Sequence, residues 1–573
     1  MLFRSPKIDV NEKLFFDLAG RKYSAEELEL ALQGAKAELD GWETGAGVAP
    51  EERTIKIELN DTNRPDLWST AGIARQLRTL AGGAVPSYPF FSREGDLRTA
   101  TRRVVVDPSV LGVRPFMAAF VISGKPITDS MLRDAIQTQE KLCWNFGRKR
   151  ASVSMGIYRT SLIQWPVHYK AVPPASVRFV PLQMTEALNL SEILDKHPKG
   201  QEFGFINRGK KLHPLLTDSR GGVLSYPPII NSADIGAVQV GDTDLLVELT
   251  GTDLASVTLS ASIVACDFAD AGYTIEPVAI DFPEPTEFGR TVVFPYYFQK
   301  PVSVDSGRAG RLLGRSLSPA AVAEALARMG VRSETHGQFV TAFPPEYRND
   351  FLHPVDIIED VMIGVGMPGF EPERPKDFTI GRLTPVETLA RKAKAVLVGM
   401  GYQEMVYNYL GSGRDYVERM NIPGDGVLRI ANPMTENFEF VRPSILPCLL
   451  GSESVSGKAV YPHRILEAGK VAFKDESANY GSVTRTYLGF LSSHGEANYN
   501  EAASLVSALL YYLGAEYSVE ECEDPRFIPG RQARILRNGA GVGVFGEIHP
   551  RVLENWGITV PCVAGELDLE AYL

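Results

Sequence analysis

The sequence has 573 residues, 44% of them hydrophobic and 23% charged, which is the balance of a soluble globular protein. Such a length predicts roughly three to five domains. Lys and Arg number 59 against 70 Asp and Glu, so the formal net charge is −11. This charge excludes a generally basic nucleic-acid-binding surface, and any RNA contact must come from a local patch or from a partner.

Two further features of the composition bear on location. Five scattered cysteines without a C-x-x-C pair argue against both a disulfide framework and a zinc site. The N-terminal residues lack the apolar core of a signal peptide, and no run approaches the ~20 apolar residues of a membrane span. We therefore expect a cytoplasmic protein with no membrane partner.

Residues 1–95 predict an α+β domain. Ser24 is the expected N-cap of a helix, and Thr54–Leu59 alternates polar and apolar residues as a half-buried strand does. The polar run that ends at Arg64 and a following proline indicates a turn leading into another helix.

Residues 96–278 predict a mixed domain of short apolar strands and helices. Gly221-Gly222 must turn and Tyr226-Pro-Pro must be extended, so this segment predicts the rigid wall of a pocket. Glu248 and Thr250 occupy alternate positions of a predicted strand and therefore share one face. That arrangement suits a pocket, but a strand without any chemical role would show it too.

A basic segment in the same domain has two interpretations. Arg148, Lys149 and Arg150 lie beside aromatic residues, and such a mixture can bind RNA through phosphate contacts and base stacking. The other interpretation is a solvated turn. Three charges make only a small patch, which favours the turn.

Residues 285–370 predict helix, strand and helix, typical of a small winged-helix-like domain. Ser318 and the proline after it begin the first helix, which Gly330 ends. His353 and Pro354 begin the second. A winged helix alone could suggest DNA binding, but fold does not fix function. The second helix is acidic and would repel phosphate, so we exclude DNA.

Four carboxylates crowd the start of that second helix. Like charges four residues apart repel by about 0.2–0.5 kcal/mol per pair, so we expect something to compensate them. One candidate is the positive end of the helix itself. The other is a hard divalent cation such as Mg²⁺, which takes a few carboxylates and keeps several waters. Spacing alone leaves both open for the four residues Asp350, Asp356, Glu359 and Asp360.

The last part of the chain, residues 375–573, predicts a long helix followed by antiparallel strands. The helix is expected to start at Thr384 and its proline. Strands are expected at Val406–Leu410, Val427–Ile430 and Arg464–Phe473.

Several of these segments resemble one family. The run Tyr347–Asp350 followed by Val355–Val361, together with Asn63–Asp66, is similar to the phenylalanyl-tRNA synthetase beta subunit of the archaeal and eukaryotic type. The resemblance extends over essentially the whole chain. It implies Mg²⁺ shared with an alpha subunit and held by Asp350, Asp356, Glu359 and Asp360.

The resemblance has further implications. It implies an α2β2 tetramer that joins phenylalanine to tRNA(Phe), with ATP and phenylalanine used by the alpha subunit. Residues 96–278 would then be an editing domain that hydrolyses mischarged tyrosine, because a second sieve can remove what a first pocket admits. Glu248 and Thr250 are the candidates to read the tyrosine hydroxyl or to hold a water.

The C-terminal part resembles a class II synthetase catalytic domain with one departure. Its glycine-rich run Gly539–Gly546 is followed by Glu547, where active members carry an arginine that grips ATP phosphates. We therefore expect a catalytic-like domain without active-site arginines.

The expected fold is thus α+β and multidomain. It comprises the N-terminal domain 1–95, a mixed editing domain 96–278, a winged-helix-like magnesium domain 285–370 and an antiparallel class II-like domain 375–573. The alternative from another functional class is a stand-alone scaffold or aminoacyl-tRNA deacylase with no synthetase partner.

Overall fold

A computed structural model describes residues 6–43, 52–60, 63–96 and 99–573 of the protein. The described chain divides into two units, with the boundary between Glu373 and Arg374. Each unit has its own buried apolar clusters. The predicted turn before Arg64 lies partly outside the described residues, because it includes positions 61 and 62.

The first unit begins with a three-stranded antiparallel sheet in the order β1-β3-β2. Its third strand buries every second residue, as its sequence alternation predicts. Ser24 caps the second helix in a full capping box with Glu27. The elements are β1 (Lys7–Asn11), α1 (Glu12–Ala19), α2 (Ala25–Leu32), β2 (Ala37–Trp42), β3 (Thr54–Leu59) and α3 (Thr70–Leu80).

A ten-stranded mixed sheet follows, in the order β12-β11-β10-β7-β4-β14-β5-β13-β6, with β15 paired to β14. The strand β13 lies between β5 and β6 and is antiparallel to both. The buried helix α7 packs against β5 and β13. The strands are β4 (Arg102–Val106), β5 (Phe116–Ser123), β6 (Val153–Arg159), β7 (Val167–Val172), β8 (Arg178–Phe179), β9 (Leu188–Asn189), β10 (His213–Thr217), β11 (Val223–Tyr226), β12 (Ile230–Asn231), β13 (Leu245–Gly251), β14 (Thr274–Thr286) and β15 (Gly289–Phe294); the helices are α4 (Asp129–Lys141), α5 (Leu190–Lys196), α6 (Pro198–Phe203) and α7 (Leu254–Asp270).

The first unit ends with a three-stranded antiparallel sheet, β16-β18-β17, and three helices. The predicted caps are present: Ser318 caps α9 and His353 caps α10. Gly364 allows α10 to approach α9 closely, since a Cβ there would lie 2.1 Å from the Ala325 carbonyl oxygen. The elements are β16 (Val302–Asp305), α8 (Ser306–Leu313), α9 (Pro319–Arg328), β17 (Arg332–His336), β18 (Phe339–Phe343) and α10 (Pro354–Val365).

The second unit is built on a seven-stranded sheet, β19-β22-β23-β27-β26-β25-β24. All its pairings are antiparallel except that of β19 with β22. The long helix begins after Thr384 as predicted, and its side chains pack against the core of this sheet. The elements are α11 (Pro385–Gly399), β19 (Gln403–Glu404), β20 (Leu410–Gly411), β21 (Phe440–Val441), α12 (Leu446–Val455), β22 (His463–Lys474), β23 (Ser482–Ser493), α13 (Tyr499–Leu513), β24 (Ser518–Glu520), β25 (Phe527–Arg537), β26 (Ala540–Ile548), α14 (Pro550–Trp556) and β27 (Cys562–Asp568).

Two predicted strands of this unit are wrong. Val406–Leu410 is irregular apart from its last residue, which belongs to β20, and Val427–Ile430 forms only an isolated bridge between Arg429 and Phe440. The third, Arg464–Phe473, is confirmed as the core of β22. All five cysteines are free thiols, and no helix in the described ranges is long and apolar enough to cross a membrane.

Candidate functional site

Glu248 is the central residue of β13, the strand next to the β6 edge of the ten-stranded sheet. Glu248 faces Ala119 across β5 and Gly156 across β6. A Cβ at Gly156 would lie 2.0 Å from the Tyr158 hydroxyl oxygen and 2.8 Å from Glu248 Oε2. The glycine therefore leaves the space that the carboxyl and the phenol occupy.

Only one oxygen of this carboxyl is bonded. The Tyr158 hydroxyl donates to Glu248 Oε2 at 2.7 Å, and its oxygen lies 2.9 Å from Ser225 Oγ. Glu248 Oε1 is buried and has no hydrogen-bond partner among the described residues. Burial raises the pKa of Glu248 to about 7, against the lowering effects of the Tyr158 hydrogen bond, the Arg114 charge and the nearby Thr250 hydroxyl. At neutral pH the group can thus accept a hydrogen bond or donate one.

Glu248 lines a cavity of about 180 Å³, which we call the Glu248 cavity. Tyr226 forms part of the wall and is held by His213, with 2.7 Å between its hydroxyl oxygen and Nδ1 and with the two rings stacked. Arg150 donates from Nη1 to the carbonyl oxygens of Pro228 and Ile229, at 3.1 Å each. The Gly/Pro-shaped pocket wall expected from the sequence is therefore clamped from two sides.

Thr250 has a different position from Glu248. Its hydroxyl accepts from Arg114 Nε at 3.0 Å, and Arg114 Nη2 also donates to the Thr250 carbonyl oxygen at 2.6 Å. Ser154 Oγ lies 3.0 Å from the Thr250 hydroxyl. Thr250 is fully buried and is not among the residues that line the cavity. Its contacts fix β13 against its neighbours.

The acidic stretch around α10 is organised by one arginine. Arg348 is buried and makes two bidentate ion pairs: Nε and Nη2 donate to Asp350, and Nη1 and Nη2 donate to Asp360, at 2.5–3.1 Å. Burial would raise the pKa of Asp350, but Arg348 lowers it to about 2. Two of the four predicted magnesium ligands are therefore already bonded to a cation of the chain itself.

The other two predicted ligands are more accessible. Asp356 Oδ2 accepts the backbone N–H groups of Leu352 and His353 at 2.8 and 2.7 Å, which is the capping role expected at a helix start. Glu359 is exposed and pairs with Lys36 at 2.7 Å.

The arrangement bears directly on the predicted cation. Among the described residues no group of three or more His, Cys, Asp or Glu side chains is placed to hold a metal ion. The four carboxylates therefore do not fit a magnesium ion held by this chain alone. A site completed by a partner subunit stays a prediction.

The position after the glycine-rich run of the second unit holds an ion pair. Glu547 at the end of β26 accepts from Tyr499 N at 2.9 Å and pairs with Arg531 at 2.8 Å. A second pair, Arg442 with Glu467, is buried in the same sheet at 2.7 Å. Arg442 and Glu467 are fully buried and bonded to each other, whereas Arg531 is largely exposed and its pair with Glu547 is weak.

Sequence reasoning missed several residues around Glu248 and Thr250. Tyr158 and Gly156 have no motif and meet Glu248 only through the pairing of β6 with β13. Arg114 precedes β5, does not line the cavity and meets Thr250 through its guanidinium group. Ser225 lies within the Gly/Pro-rich segment that predicted the wall. Arg348 lies in the run Tyr347–Asp350, two residues before Asp350. Its positive charge was the signal that could have identified it as the partner of these carboxylates.

Comparison with known proteins gives the class of the chain. Residues 302–367 match the family described as tRNA synthetase B5 domain, and residues 372–569 match the phenylalanyl tRNA synthetase beta chain CLM domain. Both descriptions belong to aminoacyl-tRNA synthetases.

Full-length relatives give the family. The chain is 46% identical to the phenylalanine–tRNA ligase beta subunit of Treponema pallidum, over 99% of this chain and 100% of the relative. It is 47% identical to that of Borrelia garinii, over 98% and 99%. An N-terminal fragment of the Pyrococcus horikoshii phenylalanyl-tRNA synthetase beta subunit matches with a TM-score of 0.58 and 33% identity, covering 63% of this chain and all of the fragment. The chain belongs to the phenylalanine–tRNA ligase beta-subunit family.

Proposed function

We propose that this chain works as the non-activating subunit of a heteromeric phenylalanine–tRNA ligase. An alpha subunit activates phenylalanine with ATP, and the product is Phe-tRNA(Phe). Relatives named as beta subunits match over nearly the whole chain, which disfavours the stand-alone scaffold or deacylase. The ion pairs of Glu547 and Arg442 support a catalytic-like domain that does not bind ATP.

We also propose that the Glu248 cavity removes tyrosine mischarged onto tRNA(Phe). The single observation that carries this proposal is the buried, unpaired Oε1 of Glu248 at the wall of a small cavity. A tyrosine side chain brings a hydroxyl that satisfies this oxygen, whereas phenylalanine leaves it unpaired. A site built to bond a hydroxyl strongly rejects the analogue that lacks it.

Of the two roles expected for Glu248, reading the hydroxyl is the one we favour. In the reaction, a water oxygen attacks the ester carbonyl carbon, and the ester bond to the tRNA ribose breaks. The ribose hydroxyl takes a proton, and free tyrosine leaves. Glu248 acts at the other end of the amino acid, where it holds the phenol. Thr250 keeps the strand that carries Glu248 in register through Arg114.

The test compares Tyr-tRNA(Phe) with Phe-tRNA(Phe) as substrates of the enzyme carrying Glu248→Gln. If Glu248 reads the hydroxyl, the preference for Tyr-tRNA(Phe) falls by roughly fivefold to tenfold, because glutamine keeps a neutral hydrogen-bonding group but loses the charge that strengthens the bond. If Glu248 instead activates water, both substrates slow equally. Glu284→Gln, an exposed glutamate of β14, is the matched control. Unchanged hydrolysis in Glu248→Gln would refute the proposal.

The alpha partner and the tetramer are testable together. We expect this chain to co-purify with an alpha subunit as an α2β2 complex in the cytoplasm. Phenylalanine-dependent ATP–pyrophosphate exchange is expected from the complex and not from this chain alone. Exchange by the isolated chain would contradict the assignment.

For magnesium we propose a shared site that uses the accessible carboxylates of α10. Asp356 is only partly buried and Glu359 is exposed beside Lys36, so a partner can reach both, while Asp350 and Asp360 are bonded to Arg348. Binding of Mn²⁺, as a paramagnetic substitute for Mg²⁺, to the complex is expected to weaken in Asp356→Asn. Mn²⁺ binding by that variant as strong as by the wild-type complex would refute a site that uses Asp356.

The domain roles follow the expected order. We propose editing in residues 96–278, a winged-helix-like support in 285–370 and the catalytic-like domain in 375–573. The match to the archaeal fragment over its full length supports an archaeal and eukaryotic type of chain. The relatives at 46–47% identity are bacterial, so the type stays a prediction.

A further inference from the structure

A second, larger pocket opens beside the Glu248 cavity. It measures about 490 Å³ and is lined on one side by Trp144, Phe203 and Cys143. Arg150 and Lys199 line both this pocket and the Glu248 cavity. The two cavities therefore adjoin at these two side chains, and we call the larger one the outer pocket.

The outer pocket carries an accessible aromatic ring with cations around it. Trp144 is 43% exposed, and the Lys149 ammonium lies 5.2 Å from its ring centroid. The Phe203 ring stands edge-on to Trp144, with the Arg150 guanidinium 4.1 Å from its centroid. Arg148 is exposed. Bases stack on such rings while cations follow the backbone phosphates.

Cations and carboxylates are mixed around this pocket, and Lys7 and Lys141 are among the cations that line it. Arg148 and Lys149 belong to the turn after Trp144 rather than to the lining, and Lys149 reaches the pocket at the Trp144 ring. Neither forms an ion pair with a described residue, so both can meet an anion. Glu140 and Glu202 also line the pocket, and Lys199 pairs with Glu202 at 2.9 Å. That pair is solvent-exposed, and exposed pairs hold weakly, so a phosphate can replace the carboxylate on Lys199.

The backbone that presents these side chains is held in an unusual conformation. Three successive residues, Arg148, Lys149 and Arg150, have φ of +49°, +55° and +67°, a region that residues other than glycine rarely adopt. Backbone bonds at 2.8 Å from Lys149 N to the Trp144 carbonyl and from Arg150 N to the Cys143 carbonyl hold the turn closed. Strained backbone of this kind concentrates at functional sites.

From these observations we infer that the outer pocket binds the single-stranded 3′ end of a tRNA, with one base stacked on Trp144 and its phosphates on Arg148, Lys149 and Lys199. The inference deepens the proposed editing function, because it gives the path by which the terminal aminoacyl ester reaches Glu248. Arg150 links the two, since it contacts Phe203 and bonds the cavity wall.

The test uses the full chain and a fluorescent RNA tetranucleotide that ends in cytidine-cytidine-adenosine, with binding measured by anisotropy. Trp144→Ala is expected to weaken binding roughly tenfold to a hundredfold, the scale of one stacked base. Trp144→Phe keeps a ring and should bind nearly as wild type. Phe339→Ala removes an aromatic that is similarly exposed (48%) elsewhere in the same unit and serves as the control for general effects.

The cations have their own readout. The double variant Arg148→Ala/Lys149→Ala is expected to flatten the dependence of log K on log[salt] by about 0.7 for each phosphate that the variant no longer neutralises. Wild-type binding that is absent, or that survives Trp144→Ala unchanged, overturns the inference.

Because the probe carries no amino acid, its binding is independent of deacylation. A chain that binds the probe through Trp144 but leaves Tyr-tRNA(Phe) intact refutes the editing function and keeps the binding site. If wild type and Trp144→Ala hydrolyse Tyr-tRNA(Phe) equally well, the proposed binding of the 3′ end in the outer pocket is refuted and the editing function is kept.

Discussion

The buried carboxyl of Glu248 makes a prediction about stability that is independent of any substrate. Its pKa is raised from an ordinary 4.5 to about 7 by burial. Between those two values the folded protein binds more protons than the unfolded chain, so stability falls as pH rises through this range. Above about pH 8 the carboxyl is almost fully charged while still buried, and the loss is complete.

The magnitude follows from the same two pKa values. One pKa unit corresponds to about 1.4 kcal/mol, so the ionised form of Glu248 costs about 3 kcal/mol of folding free energy at pH 8. Glutamine has nearly the same shape and never ionises. Glu248→Gln is therefore expected to be more stable than wild type by about 3 kcal/mol at pH 8, and by much less at pH 5.

Differential scanning calorimetry of the full chain measures this difference. Because the chain has two units, a single unfolding transition is not assumed, and only the transition that the substitution moves is compared. The quantity of interest is the change in its midpoint between wild type and variant at pH 5 and at pH 8. Glu284→Gln, at an exposed position, should give no difference at either pH. An effect of Glu248→Gln that is the same at both pH values would refute the raised pKa and with it the electrostatic basis of the cavity.

Three further changes test the packing around the two acidic sites. Gly156→Ala places a methyl group 2.0 Å from the Tyr158 hydroxyl oxygen. We therefore expect at least a tenfold lower rate of Tyr-tRNA(Phe) deacylation and a lower melting midpoint. A variant with wild-type activity would contradict the geometry. Arg348→Met leaves Asp350 and Asp360 buried without their cation and is expected to cost about 3–5 kcal/mol, read as a lowered midpoint at pH 7; a midpoint equal to wild type would show that the pair is not buried. Arg348 lowers the pKa of Asp350 to about 2. The stabilising effect of the Asp350 carboxylate should therefore persist at pH 5 and disappear between about pH 4 and pH 2. Acid unfolding of wild type and of Asp350→Asn measures this difference, and two curves that stay parallel down to pH 2 would contradict it.

Local sequence signals predicted the elements that need no distant partner. The helix starts at Ser318 and Thr384 and the alternation in Thr54–Leu59 are set within a few residues, and the structure has all three. The two strands predicted at Val406–Leu410 and Val427–Ile430 failed because an apolar run becomes a strand only where a sheet edge accepts it. In the first, Asn408 bonds the Leu410 N–H itself, and in the second a turn from Gly424 leads in.

The site was harder to predict than the elements, because its contacts cross long stretches of sequence. Tyr158 meets Glu248 from 90 residues away, and only the register of β6 on β13 brings them together. The acidic stretch shows the opposite case. The sequence shows that its charge needs compensation and suggests a metal, whereas the buried compensating cation is Arg348, which is adjacent in the chain.

The buried acids Asp350 and Glu248 nevertheless differ in how well their oxygens are bonded. Asp350 is saturated, since both its oxygens are bonded to Arg348 and its charge is balanced. Glu248 has one oxygen bonded and one unpaired, with no cation in direct contact among the described residues. Leaving a buried polar atom unsatisfied costs about 1–3 kcal/mol, and several other buried atoms of the described residues, such as Asp267 Oδ2, are also without a partner. What distinguishes Glu248 is that its carboxyl also lines a cavity that a ligand could enter. For that reason we propose Glu248, rather than the denser cluster of acids, as the group that meets a substrate.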